Sequence, residues 1–298
     1  MTALQRFGRF AWTHKMVTAS FAILAIAVLS ALFVHQVAPF DPYAQDVSLR
    51  NLPPMTHSGN GIHPLGTDAL GRDELARLML GAQISLTVGV ASVLVSGLVG
   101  TTIGLIAGYY RGWFDDVVMR LVDLQMSVPS LLIALLVLYL AGPSFLNIVL
   151  VLAVTRWMVY ARVSRGLMLS MREVLFVEAS RALGASNLRI ITRHLLPNLL
   201  APILVLATLE LAVMMLTEAS LSFLGLGIQP PESSWGLMLA EGREYLTTAP
   251  WLVAVPGLAI LLTTLSVNII ATWLRSRSTQ ATYARSGSPK ERPQSAPA

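Results

Sequence analysis

The chain reads as an all-α protein that crosses a membrane six times with both termini cytoplasmic, and three observations lead there. First, 54% of its 298 residues are hydrophobic and only 12% are charged, against roughly 45 to 50% apolar residues in soluble domains, and the mean hydropathy is +0.65. Second, six stretches approach the roughly 20 apolar residues that a helix needs to cross a hydrocarbon core. Third, all but five of the 21 Lys and Arg residues fall on one side when the N-terminus is placed inside, the bias that orients short-looped membrane proteins.

The spans lie at 16–37, 83–109, 117–141, 145–163, 198–221 and 251–274. The first follows Arg6, Arg9 and Lys15, as a secretory signal would, but its apolar run is too long for a signal core and no small-residue cleavage site follows. It is therefore read as a retained helix after a short cytoplasmic tail, residues 1–15. The second span carries Gly100, Gly104 and Gly108 at a spacing of four, a stripe that lets helix backbones approach closely. Pro129 is expected to kink the third span.

Two segments fall outside. Residues 38–82 are rich in Pro, Gly and His until Leu65-Gly66-Thr67-Asp68 and Gly71-Arg72-Asp73. There Thr67 or Asp68 is placed to cap a short interfacial helix ahead of the second span. Residues 222–250 begin apolar and then carry Pro230-Pro231 and Trp235-Gly236, which suits a lid, a re-entrant turn or a plain connector. The tail after Arg275, residues 275–298, is expected to be disordered from its Ser, Arg, Pro and Ala content. Residues 83–274 thus form a five-helix unit.

Ionisable groups inside spans are costly and face a protein interior or a watery cavity. Arg156 and Glu210 lie at similar depths, so they can form a structural pair or line a pathway, and Arg156 can also snorkel. Glu218 lies near the outer end of its span, where water access makes it less diagnostic.

Composition also excludes several classes. With no cysteine there is no disulfide, thiolate metal site or thiol catalysis. The five histidines show no metal-binding spacing, and no Gly-x-Ser-x-Gly elbow is present. The two lysines are followed by Met16 and Glu291, so the phosphate-cradling Gly-x-x-x-x-Gly-Lys-Ser/Thr loop is absent. The chain is therefore read as a non-enzyme without cofactor or metal, and its net charge of +5 belongs to membrane flanks and not to nucleic acid.

The cytoplasmic segment 166–197 is too short for a core of its own, yet it is patterned as two helices. Ser170-x-x-Glu173 reads as a capping box that starts a helix near Met171. Met171, Val174, Leu175, Glu178 and Ala182 would share one face of it, and Gly184 suits its left-handed end. Ser186 or Asn187 would cap a second helix with Leu188, Ile191 and Leu195 on one side, and Pro197 would end it so that the fifth span starts in a new direction. Such a hairpin either rests on anionic lipid or docks into a soluble partner.

At these residues the chain resembles the permease subunits of binding-protein-dependent ABC importers. Their signature, Glu-Ala-Ala, three residues, Gly, nine residues, Ile, one residue, Leu-Pro, reads here as Glu178-Ala179-Ser180, Gly184, His194 and Leu196-Pro197. Ser180 and His194 depart from it. The Leu65–Asp73 motifs, the run from Glu218 to Gly227 and Trp235-Gly236 are similar to the dipeptide, oligopeptide and nickel branch, so the likeness covers about residues 15 to 275.

The resemblance implies a multi-pass protein of the bacterial inner membrane. It would pair with a second permease subunit and receive solute from an extracytoplasmic binding protein. Two ATPase domains carrying the ATP and Mg would drive it through a coupling helix at Glu178, Ala179, Ser180, Ala182 and Gly184, with Leu196-Pro197 behind. Two other classes stay open on the residues alone. A secondary transporter would use Glu210 but leave the hairpin unexplained, and a membrane scaffold would explain the hairpin but not the buried charges.

Overall fold

The computed structural model describes residues 14–59 and 61–286, with side chains to residue 276. Most of the expected N-terminal tail and the last part of the C-terminal tail therefore lie outside the described residues. Nine principal helices follow in order: α1 (Lys15–Leu32), α2 (Glu74–Tyr110), α3 (Trp113–Met126), α4 (Ser130–Ala141), α5 (Phe145–Met171), α6 (Leu175–Ala182), α7 (Asn187–Phe223), α8 (Trp235–Gly242) and α9 (Trp251–Ser286). Five of them, α1, α2, α5, α7 and α9, are long and apolar enough to cross a membrane, and the bent pair α3 and α4 makes a sixth span if counted as one. Outward-facing leucines such as Leu98, Leu136 and Leu204, each more than half exposed, suit a lipid solvent and not water.

α2 is the axis of the bundle. It packs along α5, α7 and α1, and α9 closes the far side against α7 and α1. At 37 residues it is about 55 Å long, well beyond a hydrocarbon core of about 30 Å. Its two ends therefore mark two layers: an α8 end, where residues 38–73 and α8 gather, and an α6 end, where the hairpin sits.

α2 meets α5 at backbone distance. A Cβ on Gly100 would sit 2.1 Å from the carbonyl oxygen of Trp157, one on Gly104 would sit 2.2 Å from that of Ala161, and one on Gly108 would sit 2.8 Å from that of Arg165. The step of four on both helices means that they run parallel and in register over two turns, with ridges that only hydrogen-sized side chains permit.

Four expectations are corrected here. The second span begins at Glu74, nine residues before Gln83, because Asp73 caps it directly: its side chain accepts from the Ala76 amide at 2.8 Å. Thr67 pairs with Asp73 in an antiparallel bridge and Asp68 opens the turn that the Gly71 amide closes, so no separate interfacial helix forms. The third span is broken and not merely kinked. α3 and α4 meet at 86° across Ser127–Pro129, since Pro129 donates no hydrogen bond and holds Val128 off helical geometry. Asp115, Asp116, Arg120 and Asp123 keep α3 with the polar layer, where Arg165 bonds Asp115 and Arg162 bonds Asp123. Finally, α9 stays helical to Ser286, so the part of the expected disordered tail from 275 to 286 is helix.

At the α8 end, an antiparallel hairpin pairs β1 (Thr56–Ser58) with β2 (Gly61–His63). His63, beneath Phe40, joins Ser58 at 3.1 Å to Asp73 at 2.8 Å and so pins the hairpin to the cap of α2. α8 lies on α2 and α7 by Trp235, whose indole donates to the Leu78 carbonyl at 2.9 Å.

The α2–α5 contact generates a prediction. Gly104→Leu should lower stability by about 1 to 3 kcal/mol or more through overpacking against Ala161. Thermal unfolding in detergent would show it, and a wild-type midpoint would mean that the two helices separate freely.

Candidate functional site

Of the residues singled out from sequence, the first set sits on the hairpin at the α6 end. α6 has eight residues, too few to be stable alone, and its one buried side chain is Val177, packed with Leu105, Tyr109, Met168, Ile190, Leu195 and Leu199. Its end is a Schellman motif: the Gly184 amide donates to the Arg181 carbonyl and the Ala185 amide to that of Ser180. Gly184 has φ +82°, a conformation a side chain resists.

The rest of the hairpin differs from the expected register. α5 runs on through Met171, Ser170 bonds back to Leu167, and Glu173 pairs with Arg111, so the capping box does not form and α6 starts at Leu175. Only Leu175, Glu178 and Ala182 of the expected face remain together, and that face is exposed. Ser186 takes the cap position without a side-chain bond. Asn187 instead accepts from the Tyr109 hydroxyl at 2.8 Å.

Pro197 does not end the second helix. Ile190–Leu195 form a π-helical turn, and the Leu196 amide reaches back five residues to Ile191. The wider turn gives the proline ring room where a normal α turn would clash with the carbonyl of Arg193, so the hairpin continues into the span as one helix. The same turn shifts the register and buries Ile190 and Leu195 while leaving Leu188 70% exposed. His194, in the π turn, is half-buried.

The second set lies inside the bundle. Arg156 on α5 and Glu210 on α7 form a two-pronged pair, with both N–O distances 2.7 Å. Glu210 is buried and Arg156 partly so, a charge-assisted geometry that holds both groups in place. Glu218 does not join them. It is fully buried and not at a watery surface: Ser85 donates to one oxygen at 3.0 Å and Ser222 to the other at 2.8 Å. Ser222 in turn accepts from the Ile228 amide at 3.1 Å, which ties the segment after α7 onto the bundle.

Sequence reasoning missed a charged cluster at the α8 end. Arg72 donates to Asp68 at 2.6 Å and to Glu241 at 3.1 Å, while Arg77 reaches the same two carboxylates at 2.7 Å each. Five charges within ten residues, 68 to 77, were the available signal, but Glu241 is 164 residues from Arg77 and no spacing rule links them.

A bundle of helices long and apolar enough to cross a membrane, with a solvent-facing hairpin at one end and a folded layer at the other, defines a multi-pass membrane protein. The chain belongs to the family described as "Binding-protein-dependent transport system inner membrane component", which matches residues 100–280. Residues 2–54 match the N-terminal TM domain of oligopeptide transport permease C. The chain is 38% identical over 273 residues to the di/tripeptide transport system permease protein of Pseudomonas aeruginosa, covering 91% of this chain and 90% of that one. It is 37% identical over 268 residues to a glutathione transport system permease protein of Pectobacterium atrosepticum, covering 90% and 87%. It is also 39% identical over 262 residues to a putative peptide transport system permease protein of Brucella abortus, covering 88% and 86%. The protein is a multi-pass component of the bacterial inner membrane.

The buried pair yields a second prediction. Arg156→Met should destabilise by about 3 to 5 kcal/mol because Glu210 is left unpaired, and adding Glu210→Leu should restore most of the loss. Melting curves of the wild type and the two variants would reveal this, and equal stability of the single and double variants would exclude it.

Proposed function

We propose that the chain is the peptide-conducting permease subunit of an ABC importer, working beside a second, related permease. The observation that carries the coupling part is the hairpin. Leu175 is 80% exposed and Leu183 88% exposed, an apolar surface on an element with a single buried anchor and a rigid link to α7. Such a patch fits a groove on a soluble partner. In this reading ATPase domains, fused or separate, bind ATP and Mg and grip α6 through Glu178, Ala179, Ser180 and Ala182. Gly184 and Leu196-Pro197 hold the shape that is gripped.

With the Lys and Arg bias read as orientation, the α6 end and both termini face the cytoplasm. The α8 end then faces the solute-binding protein. Residues 38–82 and 222–250 form the outer layer, 83–274 the permease core with its coupling loop at 166–197. Closure of the ATPase domains moves the hairpin, and the pair Arg156–Glu210 makes α5 and α7 move together, so access switches by rigid-body motion. Peptides stand ahead of nickel as cargo because the relatives are named for di- and tripeptides, peptides and glutathione.

Glu178→Lys and Gly184→Val test the coupling. Each should reduce peptide uptake by more than about tenfold, since a reversed charge or a strained left-handed position spoils a docking contact that must differ between states. Membrane insertion should persist and the ATPase chains should no longer co-purify. Normal uptake in both variants would overturn the reading.

A further inference from the structure

α3 leaves two strips of its surface uncovered. Leu121 and Leu124, each more than half exposed, form an apolar strip that suits lipid. Beside them Asp116, Arg120, Asp123 and Ser127 follow one another at steps of four, three and four, the spacing that keeps side chains on one helical face, and all four are exposed. Ser127 belongs to the row because its backbone still holds helical angles, φ −75° and ψ −17°. Asp123 bonds Arg162 of α5, yet its side chain stays 68% exposed and that of Arg162 46%.

The row climbs into the bilayer. Near its start Arg165 holds Asp115; near its head Gln125 donates to the Val154 carbonyl and accepts from the Trp157 indole at 2.9 Å. From Val154 to Arg165 is eleven residues of α5, about 16 Å of helix, so the row ends about halfway through a hydrocarbon core of about 30 Å. There α3 breaks from α4, and among the described residues the carbonyls of Met126, Ser127 and Val128 accept no hydrogen bond.

Hydrocarbon tolerates neither ionisable side chains nor open backbone, which stand at membrane depth only where protein covers them or water reaches them. Arg156 and Glu210 are the first case, since they satisfy each other inside the bundle. The row on α3 is the second: it is exposed along its whole length and continuous with the polar layer at the α6 end, so water enters without a gap.

We propose that this row is the wall of the passage on the α6 side of the break. On the peptide-permease reading above, the three open carbonyls at its head accept hydrogen bonds from main-chain N–H groups of the peptide in transit. Every peptide carries such donors whatever its side chains, so the break recognises cargo as a class and not by sequence. Below it, two carboxylates, Asp116 and Asp123, balance two guanidinium groups, Arg120 and Arg162, so side chains of neither sign are trapped on the way out.

The test exploits the absence of cysteine from this chain. Ser127→Cys, Arg120→Cys and Leu121→Cys are introduced singly into the complete complex in nanodiscs, and reaction of this chain with a charged, membrane-impermeant methanethiosulfonate is timed with and without saturating alanyl-alanyl-alanine. Thiolate is the reacting form and apolar surroundings suppress it, so Ser127→Cys and Arg120→Cys should react at least about tenfold faster than Leu121→Cys. The tripeptide should slow Ser127→Cys severalfold; Val128→Cys serves if that variant fails to assemble. Reaction no faster than that of Leu121→Cys, as a covering second permease would give, overturns the passage, and a fast reaction that the tripeptide leaves unchanged overturns the contact. A complex that imports peptides with an unreactive row removes the row and leaves the permease reading standing. A reactive row in a complex that imports no peptide removes that reading and the carbonyl contact, and keeps the aqueous wall.

Discussion

Backbone contact between α2 and α5 governs where the rest of the molecule stands. With carbonyl oxygens of α5 about 2 Å from where side chains of Gly100 and Gly104 would begin, the two helices have a single permitted register. That register turns Arg156 toward α7, where it meets Glu210, and turns Arg165 and Arg162 toward α3. In a bilayer, lipid tails match side chains in polarity, so the hydrophobic effect that drives soluble cores gives little preference for one helix pairing over another. Close van der Waals contact and hydrogen bonds must supply it, and here the glycines provide the first while Arg156 and Glu210 provide the second.

Polar groups inside the bundle are placed economically. Glu218 receives hydroxyl donors from α2 and from its own helix, and the same serine that serves it also fixes Ile228. The charges at the α8 end form a closed square of two guanidinium groups and two carboxylates. It links the start of α2 to α8 across 164 residues of chain. Buried charges of this kind are strongly destabilising when one partner is lost, so they act as assembly locks: the layer at the α8 end seats properly or not at all.

Much of this was legible in the sequence because lipid imposes a coarse code. Length and apolarity located the long helices, and the spacing of Gly100, Gly104 and Gly108 announced a close approach before any partner was known. What remained hidden depended on contacts between distant residues or on small changes of helical period. The Ser170-x-x-Glu173 pattern satisfied a local rule, but α5 continued through it because Met168 and its neighbours are buried at the α6 end and Glu173 found Arg111. Pro197 carried a correct local signal for disruption, yet one widened turn absorbed it. Glu218 looked shallow by counting along its span, and only the fold of residues 222–234 over it, with Ser85 beneath, takes it out of water. Glu74 gave no signal, because its burial is set by the fold around it and not by its neighbours in sequence.

The π turn has a mechanical meaning. By absorbing Pro197, it keeps Asn187–Phe223 one continuous helix about 55 Å long, with Pro202 in its interior, that reaches from the hairpin to the opposite layer. A helix of that length tilted by about 5° about one end moves its far tip by about 5 Å. One extra residue in a helical turn thus keeps the solvent-facing hairpin and the opposite layer on the same continuous helix.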